Sequence, residues 1–277
     1  MRERRRVIVT ADDLGLCAAW DGAIFEALER GVVTSVSIVT TGATYDEARA
    51  RLRARGATDV GVHLDLIAGR PLSPASEVPS LLGAGGAFPG TWRAVFTRAL
   101  GGALSIDEVE REWSRQIERA IDDGLAPTHL DAHFHLHLLP RLFEVVITLA
   151  RRYAIGAVRL PDERPSLRAL RAAPKVAVLD VLARRARRRA TRDVELVPAR
   201  AIADAGRLGL AEWSRVLDAL GPGPTEVIVH PGQSAREDTA LRSPALRDAL
   251  ARLELTTFGA LRTGDRAQRA RLEAARA

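Results

Sequence analysis

The chain has 277 residues, of which 47% are hydrophobic and 27% are charged, and its formal net charge is +6. This balance excludes a disordered or fibrous chain, because it matches the composition of ordinary globular proteins. The single cysteine, Cys17, excludes an intrachain disulfide and fits a reducing compartment.

The first apolar run, residues 7–9, is too short for a signal-peptide core. We find no run near the roughly 18 apolar residues of a membrane span. We therefore expect a cytoplasmic protein without a transmembrane segment.

Short β-branched runs alternate with helical patterns along most of the chain. Ser105 and Glu108 have the spacing of a capping box before one helix. Repeated strand-helix units predict parallel strands, and about eight of them favour one domain over residues 1–277 with a TIM-like (β/α) barrel, distorted or incomplete. The strands are predicted at residues 7–10, 35–39, 60–64, 157–160, 194–197 and 226–230, and the main helices at about 17–30, 45–55, 106–121 and 140–153.

Two longer stretches interrupt this rhythm, residues 69–104, which are rich in Gly and Pro, and the arginine-rich residues 164–192, which are predicted to be helical. Each follows a predicted strand. In a parallel barrel the segments that follow strands rise from the face that carries the active site. Both insertions are therefore candidates for walls or lids over a substrate.

Acidic and imidazole side chains stand at the ends of several predicted strands. Asp12 and Asp13 follow the first strand, His63 lies in the third, and His230 ends the last. Each has a structural explanation, since aspartate commonly caps a helix and a single strand histidine is commonly a packed residue. Their shared position at strand ends favours a common site.

The segment PTHLDAHFHLH, residues 127–137, holds four of the six histidines. Strand alternation places His129, Asp131 and His133 on one side, and His135 and His137 follow if the chain stays extended. Several imidazoles on one face indicate a polar cavity or a bound metal. An aspartate with two histidines is a suitable ligand set for a divalent transition metal, and it leaves positions open for water and substrate.

The order of the motifs resembles the YdjC-like carbohydrate deacetylases, also called the ChbG/HpnK family. The similarity runs from about Val7 to Gly232, and six motifs in the same order carry it: TADDLG at 10–15, GVVTS at 31–35, GVHL at 61–64, THLDAHFHLH at 128–137, VRLP at 158–161 and TEVIVHPG at 225–232. Two positions depart from the family pattern, Leu14 in place of Phe and Ala132 in place of Ser. Ala132 lacks a hydroxyl beside a ligand that the resemblance implies.

The resemblance implies a TIM-like barrel that removes N-linked acetyl groups from sugars with one divalent metal. By this resemblance Asp13, His63 and His133 are the metal ligands. Asp12 matches the general base and His230 the general acid. Zinc is the favoured ion, and magnesium, cobalt or nickel also suit such a ligand set.

Arg159 and His135 are also expected near the substrate. Arg159 would orient a carboxylate or the substrate. His129 and His137 are expected to support the site or to pack. The resemblance implies that the substrate is a chito-oligosaccharide or an acetylglucosaminyl lipid such as a hopanoid. An exposed apolar groove between the two insertions would favour the lipid, and with it a membrane-peripheral location. The sequence allows a homodimer.

Two other functions remain open from the sequence. A metal-dependent phosphoesterase would also suit an aspartate-histidine site in a basic protein. The arginine-rich residues 184–189 could bind nucleic acid, but the run has no interleaved aromatic residues, and only 4% of the chain is aromatic. We therefore expect no nucleic-acid partner.

Overall fold

The computed structural model of the chain describes residues 5–56, 58–163, 175–189, 191 and 193–261. Its strands are β1 (Arg6–Leu14), β2 (Ser35–Ile38), β3 (Asp59–Leu64), β4 (His129–Ala132), β5 (Ala157–Pro161), β6 (Glu195–Arg200), β7 (Pro224–Val229) and β8 (Glu254–Leu255). Its α-helices are α1 (Ala18–Glu29), α2 (Tyr45–Arg55), α3 (Trp92–Leu100), α4 (Ile106–Asp122), α5 (Pro140–Arg152), α6 (Lys175–Arg187), α7 (Leu210–Asp218), α8 (Ala235–Arg242) and α9 (Pro244–Leu250).

Seven parallel strands close into a barrel in the order of the chain, because β1 pairs with both β2 and β7. The two-residue β8 pairs only with Arg6 and Val7, at the start of β1. The predicted TIM-like barrel is therefore confirmed in an incomplete form, with seven strands around the closed sheet and a short eighth strand beside β1.

Strand alternation separates a packed outer layer from the barrel interior. In β1, Val7 and Val9 belong to an apolar cluster that includes residues of α1 and α2, whereas Ile8 lies in a separate interior cluster. Both faces are covered, which explains why the strand reads as a continuous apolar run. The interior changes from apolar at the amino ends of the strands to charged at their carboxyl ends.

The capping box predicted for α4 forms only in part. Ser105 Oγ accepts a hydrogen bond from the backbone N–H of Glu108 at 3.4 Å. The Glu108 carboxylate instead accepts from the backbone N–H of Ser80, and the Ser105 N–H donates to Ser80 Oγ. The Glu108 side chain and the Ser105 N–H, which would complete the box, thus link α4 to the 69–104 insertion.

An aromatic stack lies at the amino-terminal floor of the barrel. The His129 ring stacks on Phe258 with centroids 3.8 Å apart, and an apolar cluster of Ile8, Ala157, Val197, Phe258 and Leu261 lies beside it. His129 is fully buried, and burial lowers its pKa to about 4. Gly61 makes room for the ring, since a Cβ there would lie 2.3 Å from His129 Nε2.

We expect Gly61→Ala to destabilise the fold by about 1–3 kcal/mol, the usual effect of overpacking a filled interior. The added methyl group must displace the His129 ring, which cannot move without separating from Phe258. Urea unfolding measures the change. Gly22→Ala is the matched control, because its Cβ meets nothing within 4 Å and it lies inside α1. Equal stability of Gly61→Ala and wild type would contradict this account of the floor.

The two insertions differ in how much the structure describes. The 69–104 insertion contains three short 3-10 helices and α3, and buried Glu112 accepts the backbone N–H groups of Leu72 and Ser73. Within the 164–192 insertion, α6 confirms helix over part of the stretch, whereas 164–174, 190 and 192 lie outside the described residues. None of the helices described is long and apolar enough to cross a bilayer.

Candidate metal centre

Three side chains from separate segments meet at the carboxyl ends of the strands. Asp13 Oδ1 lies 3.0 Å from His133 Nδ1 and 3.5 Å from His63 Nε2, and the two imidazole nitrogens are 3.3 Å apart. His63 comes from β3, and His133 begins a 3-10 helix directly after β4. Segments far apart in sequence therefore bring one carboxylate oxygen and two imidazole nitrogens to one point.

The backbone of Asp13 explains how two successive aspartates serve one end of the barrel. Its φ of 68° is in the left-handed region, and the register of β1 with β2 shifts between Ala11 and Leu14. This irregularity breaks the alternation that would send Asp13 to the opposite face from Asp12. Gln233 Nε2 donates to Asp13 Oδ2 at 2.7 Å, which leaves Oδ1 directed at the histidines.

A buried carboxylate fixes the orientation of His63. Asp131 Oδ1 lies 3.0 Å from His63 Nδ1 and also accepts from Ser37 Oγ at 2.5 Å. Because an ionised carboxylate only accepts hydrogen bonds, Nδ1 carries a proton, and Nε2 is the nitrogen directed at Asp13 and His133. Carboxylate-supported imidazoles of this kind are typical of metal ligands.

The local charges hold Asp13 ionised. Burial alone would raise the pKa of Asp13, but the imidazoles of His133 and His63 outweigh it and hold that pKa well below its usual range. Burial would lower the pKa of His63, but Asp131 and Asp12 raise it to about 9. The site thus has a strong preference for positive charge at the point where the three side chains meet.

This geometry fits a divalent metal ion. The ligand atoms of Asp13, His63 and His133 lie close enough together to contact one ion. Nitrogen and carboxylate oxygen donors suit zinc and neighbouring transition metals, and three protein ligands leave room for water or substrate.

A second group of close ligand atoms, from Asp12, His63 and Asp131, is a weaker candidate. Arg159 already occupies it. Its Nη1 and Nη2 each lie 2.6 Å from an oxygen of Asp12, and its Nη1 forms a close ion pair with Asp131. A guanidinium and a metal ion would compete for the same oxygens, so we assign the metal to the group around Asp13.

The two residues expected to move protons lie beside this centre. Asp12 Oδ2 and His230 Nε2 are 4.0 Å apart, with Asp12 buried and His230 partly exposed at the mouth. The backbone N–H of His230 donates to buried Glu237, which fixes the turn after β7. Nδ1 of His230 has no hydrogen-bond partner among the described residues.

Comparison with known proteins identifies the family of this chain. The sequence profile of a family described as YdjC-like protein matches residues 6–253. The chain belongs to the YdjC-like family.

Curated relatives of this YdjC-like chain carry deacetylase names. A carbohydrate deacetylase of Mus musculus is 39% identical over 164 residues, which are 58% of this chain and 52% of that protein. A chitooligosaccharide deacetylase of Escherichia fergusonii is 36% identical over 153 residues, which are 55% of this chain and 58% of that protein. The matched region thus spans little more than half the length of these relatives.

A solved structure supports the YdjC-like fold. A protein of Enterococcus faecalis V583, described as a candidate cellobiose-phosphate cleavage protein, aligns with a TM-score of 0.72 at 23% identity. The alignment covers 94% of this chain and 99% of that one. At this identity the likeness concerns the fold alone.

The YdjC-like histidine segment does not stay extended, so the condition for one continuous histidine face is not met. β4 ends at Ala132, and Phe134 and His135 adopt left-handed φ values of 52° and 57° within the 3-10 helix of residues 133–138. The turn separates the four histidines. His129 lies at the floor, His133 at the metal centre, His135 in an apolar groove and His137 in the buried interior.

His137 supports the site through the backbone. Its Nε2 lies 2.9 Å from the carbonyl oxygen of Arg159, and burial lowers its pKa to about 4. The neutral ring therefore donates Nε2–H to that carbonyl. Ala132, where the family usually has serine, belongs to the apolar cluster outside the barrel, so its missing hydroxyl does not face the metal centre.

An apolar groove of about 610 Å³ adjoins the metal centre. The Phe134 ring that lines it is 4.7 Å from the His133 ring, and 45% of Phe134 is exposed. α3 forms one wall and α6 another, so the groove lies between the two insertions. The lining is mostly apolar and includes Trp92, Phe96, Leu136, Val178, Leu182 and Ile202.

Three functional side chains were missed by the sequence analysis. Ser37 and Gln233 lie in ordinary strand and loop sequence, and nothing in their context marks them. Glu226 does have a signal, because a carboxylate in the middle of the apolar strand TEVIVH requires a buried partner. That partner is Arg159, at 2.7 to 3.0 Å.

Proposed function

We propose that this protein is a metal-dependent hydrolase that removes the acetyl group from an N-acetylated amino sugar and releases acetate. The observation that carries the proposal is the convergence of Asp13, His63 and His133 beside Asp12 and His230. Membership of the YdjC-like family and the names of its deacetylase relatives support it.

Amide hydrolysis needs a nucleophile, a polarised carbonyl and a protonated leaving group. A divalent ion held by Asp13, His63 and His133 would supply Lewis acidity, which lowers the pKa of water from about 15.7 toward 7 and polarises a carbonyl. Asp12, fixed by Arg159, accepts the proton of the attacking water. Water oxygen bonds to the acetyl carbon, the C–N bond breaks, and His230 protonates the departing nitrogen.

Zinc is the ion we propose, because two imidazole nitrogens and one carboxylate oxygen suit it. Cobalt and nickel accept the same donors, and magnesium is less suited, since it prefers oxygen ligands. Elemental analysis of the purified protein distinguishes these ions.

The groove favours a lipid-linked acetylglucosamine over a chito-oligosaccharide. A sugar chain needs polar partners along its length, whereas most of the groove wall between α3 and α6 is apolar. With such a substrate the protein would act from the cytoplasm at a membrane surface.

An acetate-release panel tests the function directly. Purified protein with defined metals is supplied with N-acetylglucosamine, chito-oligosaccharides and an acetylglucosaminyl lipid, and acetate is quantified. We expect release with at least one substrate and the highest kcat/KM with the lipid. Phosphate release from sugar phosphates without acetate release from any substrate would establish a phosphoesterase instead.

A further inference from the structure

Glu226 is a buried carboxylate for which the proposed chemistry has no use so far. It lies in β7 with no exposed surface. No hydrogen bond or ion pair joins its side chain to Asp13, His63 or His133. Among the described residues its only hydrogen-bond partner is Arg159.

The guanidinium of Arg159 is surrounded by acceptors. Nε and Nη2 donate to Glu226, and Nη1 and Nη2 donate to the two oxygens of Asp12. Nη1 also forms the close ion pair with Asp131. Every nitrogen of this fully buried group therefore faces a carboxylate, and the planar fork has one fixed orientation.

The three carboxylates contribute differently to this orientation. Asp131 supports His63, and Asp12 is the proposed general base. Without Glu226, the Nε edge of Arg159 would lose its acceptor, and the guanidinium could pivot about its Cδ–Nε bond toward Asp131. Its paired bonds to Asp12 would then be lost or lengthened.

Neutralising the charge of Arg159 does not explain why Glu226 lies beside it. One guanidinium already faces Asp12 and Asp131, so Glu226 adds a negative charge to an interior that has more carboxylates than cations around Arg159. Burying such a charge is costly unless it is well paired. What Glu226 adds is geometric, because it holds the one edge of the guanidinium that faces away from the proposed general base.

We propose that Glu226 is a positioning residue, which acts through Arg159 to hold the Asp12 carboxylate in the orientation needed to accept a proton from water. The catalytic part of this inference rests on the proposed deacetylase function, whereas the geometric part does not.

Glu226→Gln tests the proposal, because the amide keeps the size of the side chain but replaces one charged acceptor oxygen with an NH₂ group, which cannot accept the bond that Arg159 Nε donates to Oε2. We expect one bound metal per chain as in wild type and KM within about threefold. We expect kcat to fall about 10- to 100-fold, the scale of a displacement of about 1 Å in a catalytic group. Crystal structures of both proteins should show at least one Arg159–Asp12 bond lengthened beyond hydrogen-bonding distance in the variant.

Two further variants complete the test. Glu226→Asp keeps the charge but is one methylene shorter, and it replaces Glu226→Gln in the test if that variant does not fold. We expect it to show the same fall in kcat at unchanged KM. Glu112→Gln is the matched control, since Glu112 is equally buried but accepts from backbone N–H groups of the 69–104 insertion and from Gln116. It should keep the wild-type kcat.

An unaltered pair of Arg159–Asp12 bonds in the Glu226→Gln crystal structure would overturn the proposal, whatever the activity. So would wild-type kcat in a folded, metal-loaded variant. If wild type released no acetate from any substrate, the proposed function would fail, and the crystallographic comparison would still decide whether Glu226 positions Asp12.

Discussion

Replacing His133 with alanine should remove the bound divalent ion, reducing it from about one per chain to near zero. Activity should fall by at least about 10³-fold, because water would lose its activation and the carbonyl its polarisation. Asp13→Ala and His63→Ala should behave alike, since these three side chains supply the converging atoms. Elemental analysis after gel filtration measures the metal, and acetate release measures the activity.

His135→Ala is the control for the His133 variant. It lies two residues away in the same 3-10 helix, but it lines the apolar groove. This variant should keep its metal, with any effect confined to KM. Full metal occupancy in all three ligand variants would remove the ligand assignment, and loss of metal from His135→Ala would show that the 3-10 helix tolerates no substitution.

Asp12→Asn should keep the metal and lose turnover by about 10²- to 10⁴-fold, the usual contribution of a general base. The amide cannot take a proton from water, and its NH₂ group cannot accept from Arg159, which donates to both Asp12 oxygens in wild type. Single-turnover acetate release and elemental analysis separate the two effects.

Circular dichroism of Asp12→Asn checks that the fold survives the altered pairing with Arg159. A folded, metal-loaded variant with the wild-type rate would reject Asp12 as the base. His230 would not take over the role of general base in that case, because it is assigned to the leaving nitrogen as the general acid. Another side chain would have to accept the proton of the water.

The strand-helix alternation was enough to predict the barrel, because covered parallel strands are continuous apolar runs between helical patterns. The number of strands in the closed sheet could not be predicted, since β8 has only two residues and no pattern of its own. The partial capping box of α4 shows the same limit. Glu108 pairs with Ser80 of an insertion, a contact that the spacing within the helix does not contain.

The positions of acidic and imidazole residues at strand ends predict a common site, and the family resemblance implies its ligands. The structure brings Asp13, His63 and His133 together. The two-residue alternation of a strand no longer applies after His133, because the chain leaves the strand there and turns through two left-handed residues. No glycine marks that turn, so the sequence left open whether His135 and His137 continue the face of the strand. The four histidines lie in four environments because the chain turns here, and strand alternation alone does not contain that turn.

The packed floor of the barrel determines how molecules enter and leave the site. The His129–Phe258 stack and the apolar cluster around Ile8 lie at one end, and the Arg159 network fills the middle. In the part of the chain that the structure describes, buried side chains therefore occupy the barrel axis from its floor to its middle. If the protein acts as proposed, acetate departs by the same mouth through which the sugar entered, and a bound amino sugar would delay its exit.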